Sequence, residues 1–227
     1  VDESYADIRR GILERGFARI AVEGNIGVGK TSLARMMVKR LGGRMVEDRV
    51  DDNPFLQRFY EDAGAYGFQT QLVFLMNRYK QQLALKQQDL FGDFTVFDYV
   101  FARDRIFANV NLSDDELALY ERVALELEAR VVRPDLAIYL QASSSVLFER
   151  ITDRGRDHER ALSRDYLDAL NEAFNHYFFN YAAGPLLIVN TDAMDFVNDE
   201  RHFRDLLRRI TEPVMNTEFY VPSWETR

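Results

Sequence analysis

The eight residues Gly24-Asn25-Ile26-Gly27-Val28-Gly29-Lys30-Thr31 match the pattern G-x-x-x-x-G-K-[ST] in full. That pattern needs a strand before it and a helix after it. FARIAVEG (17–24) reads as a buried strand closing in a glycine turn, and Thr31 to about Leu41 as a helix stopped by Gly42-Gly43. In such a turn the backbone N–H groups curl around phosphate oxygens, and the following helix aims its positive end at the anion. Residues Gly24 to Ser32 are therefore expected to bind a nucleoside triphosphate. Lys30 would reach the β- and γ-phosphates, and the Thr31 hydroxyl would ligate Mg²⁺.

Further along, strand patterns at 44–47, 94–98, 135–142 and 186–190 alternate with helical patterns at 67–90, 114–132, 144–153, 163–181 and 199–210. Alternation of this kind predicts an α/β P-loop NTPase fold, with a five-stranded parallel sheet flanked by helices. Residues 17–212 are expected to form the P-loop domain. Residues 1–16 read as a tail or an amphipathic helix through Ile8, Ile12 and Leu13, and 213–227 as a tail without an assigned element.

Composition narrows the function. A formal net charge of −8 argues against nucleic acid as a partner held over a broad surface. A local basic site can still take an anionic substrate. The chain has no cysteine, which excludes disulfides, zinc–thiolate sites and a cysteine nucleophile. No apolar run is long enough to span a bilayer, so a soluble, cytoplasmic protein without a membrane partner is expected. No N-K-x-D segment is present to read guanine, which argues against a GTPase. A short chain, an early P-loop and a late arginine-rich segment favour a kinase of small molecules.

That late segment, ERITDRGRDHER (149–160), carries Arg150, Arg154, Arg156 and Arg160 around Gly155. An ordinary charge run is a solvated helix end. Phosphoryl transfer, however, needs cations over the moving γ-phosphate, and a mobile lid can bring them while excluding water. Arg154 and Arg156 are the candidate catalytic arginines of a lid at about 152–162.

Together the pieces from Phe17 to Ile210 resemble the deoxynucleoside kinase family, the group of deoxycytidine, deoxyguanosine and deoxyadenosine kinases. GNIGVGKT resembles its P-loop, FYEDAGAYGFQTQ its substrate-helix region, RGRDHE its lid, and LIVNTDAMDF its late strand and adenine-side loop. The resemblance implies ATP as phosphate donor, Mg²⁺, a deoxynucleoside acceptor and a homodimer built on helices, with 67–90 and 114–132 as candidates. It implies Glu47 as general base on the sugar 5′-hydroxyl, with Asp48 the alternative in the acidic run that follows. Tyr60 and Glu159 match the pair that holds the 3′-hydroxyl, Gln71 the residue that pairs with the base edge, and Asp98 an acid that helps organise Mg²⁺. Phe101 stands where an aromatic could stack on the base, though a core role suits it better. Arg78 and Asp104 match positions that accompany purine and deoxycytidine recognition; the plainer reading is a surface salt bridge.

Two departures stand out. Tyr99 replaces the arginine expected directly after Asp98, with Arg49, Arg103 or Arg105 as possible substitutes. Glu47-Asp48-Arg49-Val50 replaces the usual Glu-Pro-Val. The competing readings are a nucleoside monophosphate kinase of the thymidylate type and a nucleotide-binding module that has lost catalysis.

Overall fold

The computed structural model describes residues 4–88, 94–156, 159 and 162–222. In chain order the elements are α1 (Tyr5–Glu14), β1 (Arg19–Gly24), α2 (Lys30–Leu41), β2 (Arg44–Val46), α3 (Leu56–Glu61), α4 (Ala63–Gln88), β3 (Thr95–Phe97), α5 (Arg103–Asn111) and α6 (Asp114–Glu128). Then follow β4 (Leu136–Gln141), α7 (Ser144–Arg154), α8 (Arg164–Phe179), β5 (Leu186–Asn190), α9 (Glu200–Thr211) and β6 (Thr217–Tyr220). The strands form one sheet in the order β2-β3-β1-β4-β5-β6, and every adjacent pair is parallel.

Strand periodicity divides the core. In β4, Leu136, Ile138 and Leu140 join one cluster with Ile8 and Ile12 of α1, Met37 of α2 and Phe203 of α9. Ala137 and Tyr139 face the opposite layer, with Ile106 of α5 and Leu170, Phe174 and Phe178 of α8. There the Tyr139 and Phe178 rings stack with centroids 4.3 Å apart. Burial on both faces explains why β4 is a nearly continuous apolar run.

The sheet has six strands, not the expected five, because residues 217–220 pair with β5 from Leu186↔Thr217 to Val189↔Tyr220. This strand lies at the sheet edge, and Phe219 is largely exposed. With one face open, it lacks the apolar run that marks the inner strands. At the other end of the chain, residues 5–14 are helix. The Ser4 side chain accepts from the Asp7 amide at 3.2 Å, which satisfies one of the unpaired donors of the first turn. Ile8 and Ile12 are fully buried.

The fold brings the C-terminal ends of β1, β2 and β3 to one edge, where ligands of open α/β sheets bind. The long helix α4 and the start of α5 close that edge from the side. If α1 is integral to the core, Ile12→Ala should lower unfolding stability by about 2–5 kcal/mol. Chemical denaturation of the full chain checks this; an unchanged midpoint would show that α1 adds nothing to the core.

Candidate active site

A cavity of about 770 Å³ opens at this sheet edge. Its lining includes Gly27, Lys30 and Thr31 of the P-loop, Glu47 and Asp48 after β2, and Asp98 after β3. Tyr60, Gln71 and Arg78 enter from α3 and α4, and Asp104 from α5. Arg154, Arg156 and Glu159 line it from the lid side.

The P-loop geometry follows from its glycines. Gly24 has φ of +152°, and a Cβ there would lie 2.4 Å from the Leu140 carbonyl oxygen. Gly29, at φ +105°, is the N-cap of α2, and no side chain caps that helix. Its first-turn amides are thus left to an anion. Asn25 is buried and locks the loop: its Nδ2 donates to the Leu167 carbonyl at 3.2 Å, and its Oδ1 accepts from the Ile26 amide at 2.7 Å. Val28 packs into the core and Ser32 is partly exposed, and neither is among the cavity's lining residues. The Lys30 ammonium donates to the Asn25 carbonyl at 2.8 Å. Desolvation, then the nearby Arg103 charge, lower its pKa to about 7.

The Thr31 hydroxyl donates to Asp98 Oδ2 at 2.9 Å. A hydroxyl beside a carboxylate is a hard-oxygen set that suits Mg²⁺ when phosphate and water complete the shell. Burial and the Asp48 carboxylate push the Asp98 pKa up. The two candidate bases differ sharply. Glu47 is about half exposed and pairs with Arg35. Asp48 is nearly buried, receives Arg78 Nη2 at 2.6 Å, and lies 3.6 Å from Arg103 Nε. Burial opposes its ionisation, but Arg78 and Arg103 outweigh this and hold its carboxyl below the usual carboxylate range.

Arg78 also pairs with Asp104. Both side chains are almost fully buried, so the pair is not the surface salt bridge of the plainer reading. The Arg78 guanidinium sits over the rings of Phe74 and Tyr99, at 5.4 and 5.3 Å. Burial raises the Asp104 pKa to about 6 even with Arg78 beside it. Gln71 is buried, and its Oε1 has no hydrogen-bond partner among the described residues. Burial and the Glu159 charge push Tyr60 up to about 12, and both residues line the cavity. On the lid, Arg154 donates to both Glu159 oxygens, at 3.1 and 2.6 Å, and Arg156 lies 3.7 Å away. Arg160 lies outside the described residues, as does part of the expected lid at 157–158 and 160–161.

Phe101 takes the core role that suits it better, packing with Leu75, Ala108 and Tyr120; the aromatics that line the cavity are Phe59, Tyr60, Phe74, Phe107 and Tyr166. Arg150 donates to the carbonyls of Val28, Thr191 and Met194, bracketing the P-loop to the loop after β5. Glu23, fully buried, was not singled out; its signal was a carboxylate inside an apolar strand.

The family model for deoxynucleoside kinases matches residues 20–215. The chain belongs to the deoxynucleoside kinase family. It is 33% identical over 201 residues to the deoxyguanosine kinase of Bacillus subtilis, an alignment covering 86% of this chain and 97% of that protein. To the deoxyadenosine/deoxycytidine kinase of the same organism it is 28% identical over 206 residues, covering 88% and 94%. Among solved structures, deoxyadenosine kinase from M. mycoides with bound dATP superposes with a TM-score of 0.74 at 24% identity, covering 85% of this chain and 98% of that one. The expected α/β P-loop fold and kinase class are thereby supported. No helix among the described residues is long and apolar enough to cross a membrane.

For this kinase the state of Lys30 makes a measurable prediction. With a free pKa of about 7, Lys30 is mostly neutral at pH 8. Bound phosphates favour its charged form and raise its pKa. Below pH 7 both states hold the proton; above it only the complex does, so nucleotide affinity should fall as pH rises from 7. Calorimetry at pH 8 in buffers of differing ionisation enthalpy should find uptake of about one proton on triphosphate binding. Lys30→Met should abolish that uptake, and its absence in the unmodified protein would contradict a desolvated lysine.

Proposed function

We propose that this kinase transfers the γ-phosphoryl group of ATP to the 5′-hydroxyl of a deoxynucleoside, with purines preferred and deoxycytidine a secondary acceptor. The observation that carries the reading is one cavity lined both by Lys30 and Thr31 and by Gln71, Arg78 and Asp104. In the reaction the 5′-oxygen forms a bond to the γ-phosphorus as the bond to the β-bridging oxygen breaks, and ADP leaves. Glu47 accepts the hydroxyl proton. It is the accessible carboxylate, whereas Asp48 is committed to two arginines. Thr31 and Asp98 would hold Mg²⁺, which neutralises charge across the β- and γ-phosphates. Lys30 receives the phosphates, with Arg154 and Arg156 closing over them from the lid. Tyr60 and Glu159 would take the sugar 3′-hydroxyl.

Base preference rests on Gln71, Arg78 and Asp104. The unpartnered Gln71 Oε1 can accept from the adenine N6 or cytosine N4 amine. Arg78, held by Asp104 and Asp48, retains donors for purine N7. A thymine methyl would press on this charged set and leave it poorly paired. Relatives named for deoxyguanosine and for deoxyadenosine and deoxycytidine fit this preference. We infer that the kinase is a homodimer through α4 and α6, where Leu83, Leu119 and Leu125 are exposed apolar residues.

The test is kcat/KM for the four deoxynucleosides with Mg-ATP. Deoxyadenosine and deoxyguanosine should lead, deoxycytidine follow, and thymidine trail; thymidine as best acceptor would refute the preference. In Glu47→Gln, kcat should fall about 10²–10⁴-fold with little change in acceptor binding. Equal turnover in Glu47→Gln would remove Glu47 as base.

A further inference from the structure

The arginine that the family resemblance leads one to expect after Asp98 is absent, and Tyr99 does not stand in for it. Tyr99 turns away, its hydroxyl donating to Gln81 at 2.6 Å and accepting from Gln82 at 3.3 Å. Arg49 also lines the cavity, but its side chain is largely exposed at the rim, 4.0 Å from Asp52. Arg105 points to the acids of α6, 3.0 Å from Glu121 and 3.6 Å from Glu128. Arg103 behaves differently. The first residue of α5, it lines the cavity and is nearly buried.

The Arg103 guanidinium is fixed from several sides. Nη1 pairs with the Glu23 carboxylate and donates to the Gly24 carbonyl at 3.3 Å. Its plane sits over the Phe107 and Phe174 rings, at 5.0 and 5.9 Å. Glu23 is itself anchored, accepting from the Gly24 amide at 2.8 Å and the Val100 amide at 2.9 Å. Arg103 is therefore tied to the root of the P-loop while facing the cavity. Packing alone does not call for a charge there, since buried ion pairs are often matched in stability by apolar side chains.

We propose that Arg103 is a catalytic residue for phosphoryl transfer, bringing from α5 the cation that the family places directly after the strand-end acid. The inference rests on the kinase reading of the cavity. Negative charge spreads over the transferring group as the 5′-oxygen attacks. A guanidinium keeps its charge at every working pH. Lys30 of the P-loop and Arg103 of α5 both line the cavity where that group would sit.

Steady-state kinetics of Arg103→Met and Arg103→Lys, with melting temperatures, test this in the full chain. With the best deoxynucleoside, Arg103→Met should lose about 100-fold or more in kcat, in the range for removal of one transition-state donor. Acceptor KM should change by less than about fivefold, as expected when an interaction made mainly in the transition state is lost. Arg103→Lys should recover about tenfold of that loss, because its ammonium keeps the charge without the fork. Retention of kcat in Arg103→Met would overturn the proposal. So would a loss that tracks the fraction unfolded and is not relieved by lysine. If Arg103→Met does not fold, wild-type kcat in Arg103→Lys overturns it. Absence of turnover by the unmodified protein with any deoxynucleoside would instead overturn the kinase reading, and this inference with it.

Discussion

A buried chain of alternating charge runs beneath the cavity: Glu23, Arg103, Asp48, Arg78, Asp104. Each arginine lies between two carboxylates, and Asp48 lies between both arginines. Taking one ion out of water costs several kcal/mol, and only close, well-partnered opposite charges offset it. Alternation supplies those partners. Removing a single member leaves an uncompensated charge, which typically costs about 3–5 kcal/mol. The placement of β1, β2, α4 and α5 around the cavity is therefore constrained by charge as well as by apolar packing.

The chain also joins the two chemical ends of the site. Glu23 lies on β1, immediately before the P-loop glycine, and Arg103 carries its charge toward Lys30. Arg78 lies about two turns along α4 from Gln71, paired with Asp104, and all three line the cavity where a base edge would rest. Asp48 connects them, and it is free to do so because a carboxylate stands where the family usually has proline. Its own amide donates to Asp98 Oδ1 at 2.6 Å, which ties the network to the proposed metal-binding carboxylate as well. Phe74 and Tyr99 clamp Arg78 from the sides, so its guanidinium can present donors with little reorganisation.

Legibility in the sequence followed the physics of each feature. The P-loop was legible because glycine positions, lysine and threonine are all forced by backbone approach to phosphate. β4 was legible because burial on both faces leaves only apolar choices. β6 was not, since an edge strand with one open face tolerates Glu218 and an exposed Phe219. The helical pattern at 67–90 sets Gln71 and Arg78 about two turns apart on one face, and the structure gathers them with Asp104 in one cavity. Which of Arg49, Arg103 and Arg105 is buried and fixed against the cavity depends on tertiary contacts, such as Arg103 with Glu23 and Arg105 with Glu121, which spacing along the chain does not encode. The acidic neighbours of Asp48 along the chain make it resemble a base, whereas its neighbours in space are arginines.

The central claim is that Asp48 couples the phosphoryl end of the site to the base end. The most direct measurement is kcat and kcat/KM of Asp48→Asn with all four deoxynucleosides, beside the unmodified protein. Asparagine keeps the size but loses the charge that holds both arginines. The account predicts that kcat falls for every acceptor and that the spread of kcat/KM among bases narrows in the same variant. A fall in kcat with base preference intact, or a narrowed preference with kcat intact, would contradict it.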